Sequence, residues 1–164
     1  MKMYSSTAYS SPIGEILIVS DGESLNGVWF LDQKYFTSSI CEEIVPNDDL
    51  PIFCDVIRWF DDYFEGKNPE IDFKLNPHGS EFRQKVWRIL REIPYGESMT
   101  YGEIASRISP TMSAQAVGGA VGHNPIAIII PCHRVLGSKG KLTGYAGGID
   151  RKIKLLELEN IEYR

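Results

Sequence analysis

The chain is 164 residues long, 43% hydrophobic and 24% charged, values ordinary for a soluble globular protein that buries a core as one domain or two small ones. Cys41, Cys54 and Cys132 show no C-x-x-C spacing, which argues against a disulfide framework and for a reducing compartment; His78, His123 and His133 complete no zinc-ligand pattern with them. The net charge of −5 is uneven: residues 1–77 hold 5 Lys+Arg against 14 Asp+Glu, and residues 78–164 hold 12 against 8, so two units are expected and a polyanion would touch only the second.

Met1-Lys2-Met3-Tyr4-Ser5-Ser6 has no apolar signal core, so an intracellular, cytoplasmic protein with no membrane partner is expected. Residues 7–34 read as strands, with turns at Ser11-Pro12-Ile13-Gly14 and Asp21-Gly22-Glu23-Ser24 separating Glu15–Ser20 from Leu25–Leu31 as a hairpin of an antiparallel sheet. The acidic segment 37–50 gives no clear period. From Leu50 to Phe64, Phe53, Val56, Ile57, Phe60 and Phe64 recur at helical spacing until Gly66-Lys67-Asn68-Pro69. Ile71–Leu75 alternates like an edge strand, and Asn76-Pro77-His78-Gly79 reads as a linker where the charge changes sign.

Ser80 is positioned to cap a helix reaching Ile93, with Phe82, Val86, Ile89, Leu90 and Ile93 inward and Trp87 at the edge. Thr100 and Glu103 stand in capping-box register for a helix to Ile108, and Ser113 caps a second from Ala114 to about Val121; this is helix-turn-helix spacing. Gly118 and Gly119 lie inside that second helix, each costing about 1 kcal/mol of propensity. Either tight helix packing or a slim helix entering a narrow groove accounts for them. Gly137–Lys141 and Leu142–Gly148 read as a mobile glycine-rich loop without Walker spacing, and a last helix from Asp150 to about Glu159 presents Ile153, Leu155, Leu156 and Leu158.

Between these lies Asn124-Pro125-Ile126-Ala127-Ile128-Ile129-Ile130-Pro131-Cys132-His133-Arg134-Val135. Five apolar residues suit a buried strand or extended segment, and Pro131 should interrupt pairing just before Cys132. A thiol there, beside a histidine and an arginine, is set for a lowered pKa and a reactive thiolate. An inert buried cysteine beside a solvated pair is the other reading of the same residues.

That run resembles the active-site signature of methylated-DNA–protein-cysteine methyltransferases, the 6-O-alkylguanine-DNA alkyltransferases. The likeness extends from Phe82 and Trp87 through Ile93-Pro94-Tyr95-Gly96 and Ala116-Val117-Gly118-Gly119-Ala120 to Tyr145-Ala146-Gly147-Gly148 and Leu155-Leu156, covering residues 80–160 in order, and more loosely residues 9–77. It implies an α+β protein. An N-terminal antiparallel-sheet, ribonuclease-H-like domain would span 1–77. A mainly helical, winged-helix-like domain with the helix-turn-helix would span 78–164. It implies direct-reversal repair, in which an alkyl group passes irreversibly from 6-O-alkylguanine, flipped out of double-stranded DNA, to Cys132 in a single turnover.

The resemblance assigns His133 as base through a water, Glu159 as the group fixing its tautomer, and Asn124 as the brace of the turn carrying Cys132. Tyr101 would crowd the target phosphate, Ala116, Gly118 and Gly119 would lie in the minor groove, and Arg134 would join the substrate-binding residues. Tyr145 would line the base pocket and donate to the guanine ring N3. No cofactor or metal is implied, and a monomer is expected. One position departs from the family: Gln115 stands where an arginine usually fills the gap left by the flipped base, and lacks its charged fork. A module binding alkylated DNA without repairing it is disfavoured by the presence of Cys132. A Cys-His hydrolase would need an oxyanion hole that the residues do not supply.

Overall fold

The structure, a computed structural model, describes residues 3–164. It divides into two compact units, one running to His78 and joined by Pro125–Ala127, the other comprising Gly79–Asn124 and Ile128–Arg164.

The first unit is built on a four-stranded sheet, β1 (Tyr4–Ser11), β2 (Gly14–Ser20), β3 (Leu25–Phe30) and β4 (Ile44–Pro46), in the order β3-β2-β1-β4. Short turns make β1–β2 and β2–β3 antiparallel, with Thr7 opposite Ile18 and Ile18 opposite Val28. The sheet is mixed rather than antiparallel as expected, because the long connection after β3 brings β4 to the far edge, parallel to β1. Helix α1 (Pro51–Phe64) starts with Pro51 at its first turn, where a missing N–H costs nothing. It buries Phe53, Val56, Trp59, Phe60 and Tyr63, and Tyr9 of β1 stacks on Phe60 at 5.3 Å between centroids. The expected edge strand at 71–75 reduces to one bridge, Leu25 to Leu75.

In the second unit α2 (Glu81–Arg91) is capped by Ser80, whose hydroxyl accepts from Arg83 N. Trp87 is not at an edge: its side chain is buried, with Nε1 donating to Ala120 O at 2.9 Å. Helix α3 (Tyr101–Ile108) carries the complete capping box of Thr100 and Glu103, and Ser113 caps α4 (Ala114–Gly122). Helix α5 (Ile149–Leu158) closes the unit. Among the described residues of this unit the strands are β5 (Met99–Thr100) and β6 (Val135–Leu136), a short parallel pair beside the helices.

The apolar run before Cys132 is buried but is not a strand. Ile126 makes a single bridge to Val28, and Ile128 adopts φ +69°, a left-handed conformation that costs a β-branched residue on the order of 1–3 kcal/mol. The chain therefore winds rather than extends, and Cys132–Arg134 forms one 3₁₀ turn. The glycine-rich loop is tied down, with Gly137 N donating to Lys141 O and Gly148 N to Tyr145 O. No helix among the described residues is long and apolar enough to cross a membrane.

Candidate active site around Cys132

Cys132 opens the 3₁₀ turn and is 6% exposed. Asn124 bridges the winding segment, its Nδ2 donating to Ile130 O at 2.8 Å, and its amide also hydrogen-bonds the thiol. The flanking cations do not lower the thiol pKa as the sequence implied. Burial pushes it up, opposed by the Asn124 hydrogen bond, the Lys152 charge and the Tyr145 hydroxyl. The physical reason lies in where His133 and Arg134 spend their hydrogen bonds: both turn to Glu159.

Glu159, 2% exposed at the end of α5, accepts from His133 Nε2 at 2.5 Å, Arg134 Nε at 2.7 Å and Gly96 N at 3.2 Å. Burial alone would raise its carboxyl, but the hydrogen bonds from His133 and Arg134 and the Arg134 charge outweigh it and hold the group at about 2. His133 is fully buried; burial pushes it below the ordinary histidine value against the pull of Glu159, and the Arg134 and Lys152 charges push it further down. A neutral imidazole whose Nε2 meets a carboxylate must carry its hydrogen there, leaving the lone pair on Nδ1. Cys132 thus has a neutral base as its sequence neighbour.

Arg134, expected to bind substrate, is committed internally. Besides Glu159 it donates from a terminal nitrogen to Ile93 O at 2.7 Å, and its guanidinium lies 5.8 Å from the Tyr95 ring centroid. Gly96, at φ +83°, takes a conformation open to glycine and points its N–H at Glu159. Of the two tyrosines, Tyr145 has a buried hydroxyl without a geometric hydrogen-bond partner among the described residues; the group acting on it most directly is the Cys132 thiol. Tyr101 is half-buried, and its hydroxyl lies 3.0 Å from Thr143 Oγ1.

Gln115, Ala116 and Gly119 are exposed on α4. A Cβ added at Gly119 or Gly122 would meet nothing within 4 Å, and one at Gly118 would make an ordinary 3.8 Å contact with the Tyr101 ring. Internal packing does not require these glycines.

Sequence reasoning missed Lys152 and Thr143. Lys152 is 1% exposed, and its ammonium donates to Val135 O at 2.7 Å, Thr143 Oγ1 at 3.1 Å and Gly144 O at 3.3 Å. Burial lowers it to about 8, and the Cys132 charge pulls the other way. The signal was present: Lys152, Leu155, Leu156 and Glu159 fall at i, i+3, i+4 and i+7, one helical face. Choosing Ile153 and Leu158 for the stripe hid a charged residue on the buried side.

Comparison with known proteins gives a consistent picture. The model of the 6-O-methylguanine DNA methyltransferase DNA-binding domain matches residues 81–161, and that of the same family's ribonuclease-like domain matches residues 3–77. A methylated-DNA–protein-cysteine methyltransferase of Haemophilus influenzae is 47% identical over 96% of this chain and 87% of its own length. One of Methanosarcina acetivorans is 48% identical over 92% and 95%. The crystal structure of Mycobacterium tuberculosis OGT in complex with DNA superimposes with a TM-score of 0.83 at 45% identity, covering 96% of this chain and 92% of that one.

Proposed function

Because the chain belongs to the 6-O-methylguanine DNA methyltransferase family, we propose that it repairs DNA by moving the alkyl group of 6-O-alkylguanine onto Cys132. It is a methylated-DNA–protein-cysteine methyltransferase in activity, one that consumes itself in a single turnover. The observation that carries this reading is the buried thiol placed next in sequence to a neutral histidine, whose other nitrogen is fixed by Glu159.

The chemistry follows from that arrangement. At rest the thiol keeps its proton, since burial opposes a bare thiolate. When the substrate arrives, the proton passes toward His133 Nδ1 through a water, and the charge on the imidazolium is met by Glu159. Asn124 and Lys152 stabilise the sulfur anion as it attacks the alkyl carbon. The S–C bond forms, the C–O bond breaks, and the electron pair moves into the guanine ring. The resulting anion needs a proton, which one of the two phenols, Tyr101 or Tyr145, supplies. A thioether has no easy reverse, so the protein is spent.

The reacting carbon lies inside a duplex, so the nucleotide must be extruded. The open space beside Gly119 and Gly122 supports α4 as a slim element pressed into the minor groove, where a backbone approaches DNA more closely than a side-chained helix would. Exposed Gln115, near the start of α4, is then the residue facing the emptied position. A DNA substrate locates the work inside the cell, and one chain carries every group named. The test is stoichiometry: with a tenfold excess of duplex bearing 6-O-methylguanine, one methyl group per chain should transfer, and none to Cys132→Ser. Repeated turnover, or transfer surviving in Cys132→Ser, would overturn the reading.

A further inference from the structure

The thiol side of the reaction has its base, but nothing so far sets the direction of the proton on the leaving-group side. The hydrogen bonds around Thr143 do. The Lys152 ammonium has three N–H groups and three acceptors, Val135 O, Gly144 O and Thr143 Oγ1. One lone pair of Thr143 Oγ1 is therefore taken by a cation. A hydroxyl that accepts from an ammonium is polarised and becomes a better donor. The other polar group on Thr143 is the Tyr101 hydroxyl at 3.0 Å. With Thr143 donating to the Tyr101 oxygen, the Tyr101 hydrogen is turned away from Thr143 and is free for an incoming group.

We propose that Thr143 is a positioning residue that relays the Lys152 charge to Tyr101 and aims the Tyr101 proton at the departing base. This rests on the alkyl-transfer reading and deepens it. In the step, the Cys132 sulfur bonds to the alkyl carbon as the C–O bond breaks, and the electron pair enters guanine. The Tyr101 proton passes to a ring nitrogen, leaving neutral guanine and a Tyr101 phenolate. That phenolate is held by the Thr143 O–H and the ammonium behind it, and regains a proton from solvent once the base has left. Burial raises the Tyr101 hydroxyl above the ordinary phenol value and the Cys132 charge adds to the rise, while the hydrogen bond from Thr143 pulls the other way.

Two substrates separate this role from a structural one. Methyl transfer from 6-O-methylguanine needs a proton on its leaving group, whereas alkylation of Cys132 by iodoacetamide expels iodide and needs none. Thr143→Val, which keeps the shape and removes the hydroxyl, should slow single-turnover repair of duplex DNA roughly tenfold, the worth of one charge-assisted hydrogen bond. Iodoacetamide labelling of Cys132 should stay at the wild-type rate, and Thr143→Ser should restore repair. The proposal is overturned if Thr143→Val repairs at the wild-type rate, or if both reactions slow equally, which would place Thr143 in support of the thiol or the fold. A wild-type chain that transfers no methyl group would instead sink the functional reading itself.

Discussion

Glu159 is the residue on which the site's electrostatics turn. Its carboxylate holds His133 in one tautomer and neutralises Arg134, so it should be inseparable from both activity and stability. Its folded pKa of about 2 is depressed from the usual carboxylate value, so its contribution is fully present above pH 4.5 and is lost as pH falls toward 2. The size is roughly 3 kcal/mol by linkage. The His133 shift works in the same direction: an imidazole kept neutral by burial destabilises the fold as pH drops below about 6.5, where the unfolded chain takes up the proton. Urea denaturation across pH 2–7 should show stability falling with acid, and Glu159→Gln should flatten the part between 4.5 and 2. That substitution should also cost about 3–5 kcal/mol at pH 7, because it leaves Arg134 charged and buried without its counterion. A variant as stable as the wild type would mean that Arg134 finds another partner.

At the scale of elements, α4 sets stability against function. Gly119→Ala should stabilise the chain by about 0.5–1 kcal/mol, since alanine is the better helix former and meets no neighbour. The same methyl should weaken binding to duplex DNA, measured by fluorescence anisotropy, because it stands on the exposed face that we propose approaches the groove. Unchanged affinity would remove α4 from the interface. Gln115→Arg should raise the single-turnover rate on duplex well above its effect on the free modified base, by filling the gap with a charged, planar group. The helices carrying these positions were legible because their caps are side-chain chemistry written locally: Ser80, Thr100 with Glu103, and Ser113 all act as their types and spacing imply. The segment before Cys132 was not legible. Five apolar residues look the same whether extended or wound, and the winding depends on Asn124 reaching Ile130 and on a left-handed Ile128, neither of which a hydrophobic pattern encodes. From its neighbours alone Cys132 stood open between a reactive and an inert thiol, and the family resemblance singled it out with His133. The thiol's raised pKa was not legible, because it comes from burial, with His133 and Arg134 both bonded to Glu159 rather than to the sulfur.

For the whole molecule, the charge division carries the expectation. The half with 12 Lys+Arg against 8 Asp+Glu is the one matched by the DNA-binding family model, while the acidic half has 5 against 14. Duplex affinity should therefore fall steeply as salt rises, through release of counterions from the phosphates. Transfer from the free base, which has no phosphates, should barely respond. The three cysteines offer the most direct measurement. Cys41 and Cys54 are exposed and Cys132 is buried, so a simple chemical alkylator would be expected to favour the first two. After incubation with duplex bearing 6-O-methylguanine, peptide mass mapping should find one added methylene, on the buried Cys132, with Cys41 and Cys54 unmodified and the guanine restored. Methylation spread over the exposed thiols, or an unchanged Cys132, would show that the buried site is not the acceptor.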